Sequence, residues 1–128
     1  MAVVLVVDDD HDMLEAYRAL ISDLGHEVVT EVIVESGPQA VRDAQADAML
    51  VDLQQPHQDD YGLRLIEEVR ADPVVKAIPI ILSTAAVEEV HAMRPVLDRL
   101  QVAVLRKPFR MTDLEAALAE ALAGADPS

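Results

Sequence analysis

The chain has 128 residues, of which 52% are hydrophobic and only 2% aromatic, so a single domain with an aliphatic core is expected. Its formal net charge of −14 repels phosphate backbones and argues against direct binding of nucleic acid. There is no cysteine, which excludes disulfide and thiol chemistry. The sequence shows neither a signal peptide nor the run of roughly 20 apolar residues that a membrane helix needs, so a cytoplasmic protein without a membrane partner is expected.

The first half of the chain alternates strand-like and helical patterns. Short runs of β-branched apolar residues are typical of strands buried on both faces, and apolar residues every three to four positions predict helices. Asp10 and Asp12 are expected at the start of the first helix, and Ser36 with Gln39 resembles a capping box. The predicted elements are a strand at Val3–Val7, a helix that ends at Gly25, a strand at Glu27–Val34, a helix from Ser36 to about Ala46, and a strand at Ala48–Val51.

The second half continues the alternation. Pro95 lies inside a helical pattern, where proline costs about 3 kcal/mol, so a kink or a break is expected there. Thr112 and Glu115 form a second potential capping box. We expect one domain over residues 1–124 and a disordered tail at 125–128. The predicted elements are a polar loop at Leu53–Tyr61, a helix at Gly62–Arg70, a strand at Ile78–Ser83, a helix at Ala86–Leu100, a strand at Val102–Leu105, and a last helix.

Polar side chains follow four of the five predicted strands. Alternating strands and helices with right-handed crossovers predict a parallel α/β sheet that is covered on both faces. Such sheets place their ligands at the carboxyl ends of the strands. Carboxylates, a hydroxyl and an ammonium would therefore meet in one crevice, where they could bind a divalent cation and a phosphoryl group around an aspartate nucleophile. These groups come from Asp8-Asp9, Asp52, Thr84 and Lys107-Pro108.

The segments around these groups resemble the receiver domain of two-component response regulators. The resemblance is carried by Val6–Asp10, Leu50–Pro56, Pro79–Ala85 and Lys107–Phe109, in that order, and it covers nearly the whole chain. It implies a flavodoxin-like, doubly wound, five-stranded parallel sheet of order 2-1-3-4-5 with five helices. In that order, the first and third strands lie side by side, so their terminal aspartates would be neighbours.

The resemblance also implies a role for each polar group. Asp52 would accept the phosphoryl group, the Lys107 ammonium would neutralise charge on the transferred oxygens, and the Thr84 hydroxyl would donate to one of them. Ser83 competes with Thr84 for that role, and the family's Thr-Ala pair favours Thr84. The Lys107-Pro108 bond is expected to be cis, as in the family.

A divalent cation is implied as well. Mg²⁺, or Mn²⁺ in its place, prefers oxygen ligands in octahedral geometry and keeps some of its waters. By resemblance, Asp9 and Asp52 would be direct ligands, the Gln54 backbone carbonyl would be a third, and Asp8 would act mostly through water.

The partners implied are a sensor histidine kinase or phosphotransfer protein as donor, and an effector domain or downstream protein as target. The chain would then be a stand-alone receiver or an excised domain, and a switch rather than an enzyme. It would assist its own phosphorylation and dephosphorylation and signal through the face formed by helix 4, strand 5 and helix 5. Two alternatives remain, namely an interaction module that is never phosphorylated and an aspartate-nucleophile phosphatase. The phosphatase is disfavoured because Gln54 stands where such enzymes carry a second aspartate.

Three departures from the family pattern bear on signal output. The loop from Pro56 to Gly62 is two residues longer than usual. Val104 stands where many receivers have an aromatic residue that rotates on activation, so another route of coupling is expected. Leu100-Gln101 replaces the glycine that usually precedes the fifth strand.

Overall fold

The computed structural model describes residues 2–53, 59–85 and 87–125. These residues form five strands that alternate with five helices. The strands are β1 (Val3–Val7), β2 (Glu27–Glu31), β3 (Ala48–Leu53), β4 (Ile80–Thr84) and β5 (Val102–Arg106). The helices are α1 (His11–Asp23), α2 (Gly37–Ala44), α3 (Asp59–Ala71), α4 (Val87–Arg99) and α5 (Met111–Ala125).

All four strand pairings are parallel, and the strand order is β2-β1-β3-β4-β5. This confirms the predicted flavodoxin-like, doubly wound sheet. The order places β1 directly beside β3, with Val7 opposite Val51. The next residues along the chain, Asp8 just after β1 and Asp52 near the end of β3, therefore lie at the same edge of the sheet.

Two aliphatic clusters cover the two faces of the sheet. Alternate residues of β1 divide between them, because successive side chains of a strand point to opposite faces. The cluster under α1 and α5 contains Val4 and Val6, and the cluster under α2, α3 and α4 contains Leu5 and Val7. Tyr17 of α1 is fully buried in the first cluster.

The N-cap residues predicted for two helices are confirmed, but the capping box of the second helix is only half formed, because Gln39 Oε1 accepts from Arg42. Asp10 is the N-cap of α1, and its Oδ1 atom accepts the Asp12 and Met13 backbone N–H groups at 2.9 and 3.4 Å. Ser36 is the N-cap of α2 and accepts the Gln39 N–H at 3.3 Å. Such caps satisfy backbone donors that the first turn of a helix leaves unpaired.

Other predicted boundaries were wrong. The second strand ends at Glu31 rather than Val34, because β1 offers no pairing beyond Val7 opposite Glu31. The Val34 N–H instead donates to the Tyr61 hydroxyl at 2.8 Å. The third helix begins at Asp59, three residues before Gly62, which shortens the predicted loop.

The predictions for α4 and α5 also need correction. α4 continues through Pro95, so the break that was one of the two alternatives expected there is wrong, while a kink stays a prediction. The exposed position of Pro95 leaves the freed carbonyl open to water. The capping box at Thr112 and Glu115 is not formed. α5 begins at Met111, two residues before the start that a Thr112 N-cap predicts, and Asp113 accepts the Arg110 N–H at 2.9 Å.

Two further observations concern the ends and the surface of the described chain. α5 extends through Ala125, and the rest of the predicted tail, residues 126–128, lies outside the described residues. Within the described residues, no helix is long and apolar enough to cross a bilayer.

Candidate functional site

The carboxyl ends of β1, β3, β4 and β5 bring the predicted polar residues to one edge of the sheet. Asp52 lies opposite Ser83, and Thr84 lies opposite Arg106, the residue before Lys107. The Lys107 N–H donates to the Thr84 carbonyl at 3.0 Å, which ties the segment after β5 to the end of β4. Parallel register alone therefore accounts for the approach of residues that are up to 99 positions apart in the chain.

Asp52 is the centre of the site. Its Oδ1 atom lies 2.6 Å from Lys107 Nζ, and its Oδ2 atom accepts the Tyr17 hydroxyl at 2.8 Å. The Asp52 side chain is fully buried and that of Lys107 is 15% exposed. Burial raises the pKa of Asp52, while the ammonium of Lys107 and the hydroxyl of Tyr17 oppose that rise. The two donors thus favour the ionised form of Asp52.

Asp8 is a second buried carboxyl group beside Asp52. Its Oδ1 atom accepts the Asp10 N–H at 3.0 Å, while its Oδ2 atom is buried and has no hydrogen-bond partner among the described residues. Burial raises the pKa of Asp8 to about 7, the Asp10 N–H opposes this, and the negative charge of Asp52 adds to it. Two adjacent buried carboxyl groups attract a cation, and the unused oxygen is available to a water molecule bound to a hard divalent ion.

The remaining predicted ligands are less defined. Asp9 is exposed at the edge of the site. Gln54 and most of the longer loop after it lie outside the described residues. Within the described ranges, no three histidine, cysteine or acidic side chains are close enough together to form a preassembled metal cluster. The described part of the chain therefore supplies a carboxyl pair, Asp8 and Asp52, rather than a complete coordination sphere.

One prediction about the segment after β5 is confirmed. The Lys107-Pro108 peptide bond is cis, as predicted. Thr84 is buried at the end of β4. Val104, in place of an aromatic residue, is half-buried on β5.

Two residues of the site were missed by the sequence analysis. The Tyr17 hydroxyl oxygen lies 2.8 Å from Asp52 Oδ2 and 2.8 Å from Ser83 Oγ. The sequence pattern predicts Ser83 only as an alternative to Thr84, and Tyr17 falls at a helical spacing that is typical of a buried apolar face. A signal was present, because a tyrosine in a buried stripe needs a partner for its hydroxyl.

Comparisons with known proteins agree with this geometry. The sequence matches the model of the response regulator receiver domain over residues 4–119. The chemotaxis protein CheY1 of Helicobacter pylori strain J99 is 40% identical over 84 residues, which cover 62% of this chain and 64% of CheY1. The chain therefore aligns with less than two thirds of that relative's length.

Solved structures extend the similarity to nearly the whole chain. Vibrio cholerae chemotaxis protein CheY4 is 26% identical with a TM-score of 0.78, covering 95% of this chain and 99% of CheY4. The receiver domain of the sensor histidine kinase PA1611 from Pseudomonas aeruginosa PAO1 is 28% identical with a TM-score of 0.70, covering 95% and 98%. That structure has a magnesium ion coordinated in its active site cleft. Because the family match spans nearly all of the sequence, and the fold and the polar strand ends agree with it, this chain belongs to the response regulator receiver domain family.

Proposed function

We propose that this chain is the phosphoacceptor of a two-component phosphorelay and that Asp52 receives the phosphoryl group. The supporting observation is the Asp52 carboxylate, which is fully buried and lies 2.6 Å from the Lys107 ammonium. A buried charge is costly unless it is paired, and a perturbed carboxylate beside a charged partner in a crevice is a feature of functional sites. The receiver domain extends over residues 1–124 in this proposal.

The donor is a phosphohistidine of a sensor kinase or of a phosphotransfer protein. An electron pair on Asp52 Oδ1 forms the new bond to phosphorus. The bond from phosphorus to the donor nitrogen breaks, and its electron pair leaves with an imidazole that carries a proton on its other nitrogen. Lys107 neutralises charge on the transferred oxygens, and the Thr84 hydroxyl donates to one of them.

The acidic residues fit Mg²⁺ or Mn²⁺. The buried Oδ2 atom of Asp8, which has no hydrogen-bond partner among the described residues, is the observation that favours a cation here. Asp9 and Asp52 would be direct ligands together with the Gln54 carbonyl, and Asp8 would act through water. When bound, the ion supplies positive charge that offsets the negative charge of the phosphoryl oxygens.

The chain acts as a switch and does not turn over an external substrate. Phosphorylation favours a state in which the face of α4, β5 and α5 binds a downstream protein or effector domain. The coupling runs from Thr84 through the following loop into α4, because Val104 is too short and too stiff to act as an aromatic switch. We place this switch in the cytoplasm, without direct contacts to nucleic acid or membrane.

The test is the intact mass of the protein after incubation with acetyl phosphate and Mg²⁺. The wild type should gain one phosphoryl group and Asp52→Asn none. Asp23→Asn is the matched control, because Asp23 is an exposed residue at the end of α1 that lies outside the site. Equal uptake by wild type and Asp52→Asn would refute the assignment, and no uptake by the wild type would favour an interaction module that is not phosphorylated.

A further inference from the structure

A buried tyrosine lies behind the carboxylate of Asp52. Tyr17 comes from α1 and is fully buried, as is Ser83 of β4. The Tyr17 hydroxyl bridges Asp52 Oδ2 and Ser83 Oγ at 2.8 Å each. The surrounding cluster is otherwise aliphatic except for Phe109, whose ring stacks on Tyr17 at 5.8 Å between centroids. The tyrosine therefore enters the site from the interior.

The direction of these hydrogen bonds follows from the number of protons. Tyrosine has one hydroxyl proton, and an ionised carboxylate can only accept. The Tyr17 proton must therefore be donated to Asp52, and the Ser83 hydroxyl donates to the oxygen of Tyr17. The three side chains form a chain of hydrogen bonds in which each bond polarises the next.

The two oxygens of Asp52 consequently differ. Oδ1 faces the Lys107 ammonium at the mouth of the site, and Oδ2 accepts the Tyr17 proton from the interior. The plane of the carboxylate is held at both ends. Because Oδ2 is held from the interior, Oδ1 is the oxygen that forms and breaks the bond to phosphorus.

We propose that Tyr17, supported by Ser83, is a positioning residue that shortens the lifetime of the phosphorylated state. This inference rests on the proposed phosphorylation of Asp52. In hydrolysis, water attacks phosphorus, the bond from phosphorus to Oδ1 breaks, and its electron pair returns to the carboxylate. Inorganic phosphate leaves with the oxygen of that water, whose protons pass to phosphate and solvent.

The effect should differ between the two directions of transfer. A hydrogen bond to a charged acceptor is about twice as strong as one to a neutral acceptor. Oδ2 is a neutral carbonyl oxygen in the acyl phosphate and regains negative charge as the carboxylate leaves, so the Tyr17 proton favours hydrolysis. In the forward direction the carboxylate is charged from the start and keeps most of its charge in a loose transition state, so Tyr17 contributes little.

Tyr17→Phe tests this prediction, because it removes the hydroxyl and keeps the ring that stacks on Phe109. We expect dephosphorylation to slow about fivefold, which is about 1 kcal/mol at 1.36 kcal/mol per factor of ten. The rate constant for phosphorylation by acetyl phosphate should remain within about twofold, since the acceptor carries similar charge in its ground and transition states. Both rates are measured by intact mass. Dephosphorylation is followed after the acetyl phosphate has been removed, and phosphorylation is followed in its presence.

Tyr61→Phe is the matched control. The Tyr61 hydroxyl accepts the Val34 backbone N–H at 2.8 Å. The Tyr61 ring packs in the cluster on the face of the sheet opposite Tyr17. The variant loses a hydroxyl of the same kind without touching Asp52, so its dephosphorylation rate should equal that of the wild type. A general loosening of the fold would not slow one direction of transfer alone.

Ser83→Ala is a second variant, which carries the test if Tyr17→Phe does not fold. It keeps the Tyr17 hydroxyl proton and removes the hydrogen bond that the Ser83 hydroxyl donates to Tyr17. Hydrolysis should therefore slow by a smaller factor than in Tyr17→Phe. Suppose that the wild type is phosphorylated. An unchanged dephosphorylation rate in those of Tyr17→Phe and Ser83→Ala that fold, or an equally slowed rate in Tyr61→Phe, would then overturn this inference. A wild type that takes up no phosphoryl group would overturn the proposed function and this inference together.

Discussion

The buried carboxyl of Asp8 predicts that the metal-free protein loses stability as the pH rises. Its pKa is raised in the folded state from the ordinary 3.8 to about 7, chiefly by burial. The folded chain therefore binds more protons than the unfolded chain between these two values. The contribution of Asp8 is fully present below about pH 4 and is lost as the pH rises through 7. It amounts to a few kcal/mol at most, because Asp8 titrates together with Asp52.

Mg²⁺ should reverse that loss. An ion that binds only the folded state adds about 2.7 kcal/mol at a concentration of 100 times its Kd, which corresponds to a rise in Tm of about 10 °C for a domain of this size. The ion competes with the proton on Asp8. The Tm increase produced by Mg²⁺ should therefore be large at pH 8 and much smaller at pH 5.5.

The assay is thermal unfolding at pH 5.5 and pH 8, with and without saturating Mg²⁺, on wild type and Asp8→Asn. Without metal at pH 8, Asp8→Asn should be more stable than the wild type by a few kcal/mol, because an amide at position 8 avoids burying a charge. Asp23→Asn, at an exposed position, should behave as the wild type. An equal Mg²⁺ shift at both pH values, or an Asp8→Asn variant that is less stable than the wild type at pH 8, would refute the reasoning.

Four further predictions address the rest of the chain. Arg70→Met should lower the free energy of unfolding by about 2–4 kcal/mol, since Arg70 donates to four backbone carbonyls before β4 and β5; a denaturant titration with an unchanged midpoint would contradict this. Gln101→Gly should raise Tm, since Gln101 has a φ of 57° that costs a non-glycine residue about 1 kcal/mol. A lower Tm would show that the Gln101 side chain stabilises the fold by more than glycine gains from relief of this strain. The chain should not bind duplex DNA, and salt-sensitive micromolar binding would contradict the argument from its net charge of −14. Beryllofluoride should change hydrogen exchange mainly at residues 84–100 while Val104 keeps one rotamer, and a silent α4 would contradict the proposed route of coupling.

The fold could be predicted because hydrophobic patterning and polar strand ends both indicated the same parallel sheet. Element boundaries were less predictable, since they depend on partners rather than on local pattern. The second strand ends at Glu31, which is the residue opposite the end of β1 at Val7. α4 continues through Pro95 because the exposed side of a helix can hydrate a freed carbonyl, which local propensity does not show.

The carboxylate, hydroxyl and ammonium groups of the site could be predicted because they lie at or next to the carboxyl ends of strands. The Tyr17–Ser83 contact could not, because it joins a helix to a strand 66 residues away and depends on how deeply α1 packs on the sheet. Gln101 has a left-handed backbone, a conformation that glycine adopts without strain. The missing glycine was visible in the sequence, but its conformational consequence was not.

The position of the phosphoryl group tests the central claim most directly. After incubation with acetyl phosphate and Mg²⁺, borohydride reduces an aspartyl phosphate to homoserine, which peptide mass analysis can locate. The account predicts homoserine at position 52 alone, in the peptide that contains Asp52. Homoserine at another acidic residue such as Asp9, or none in a protein that has gained a phosphoryl group, would contradict it.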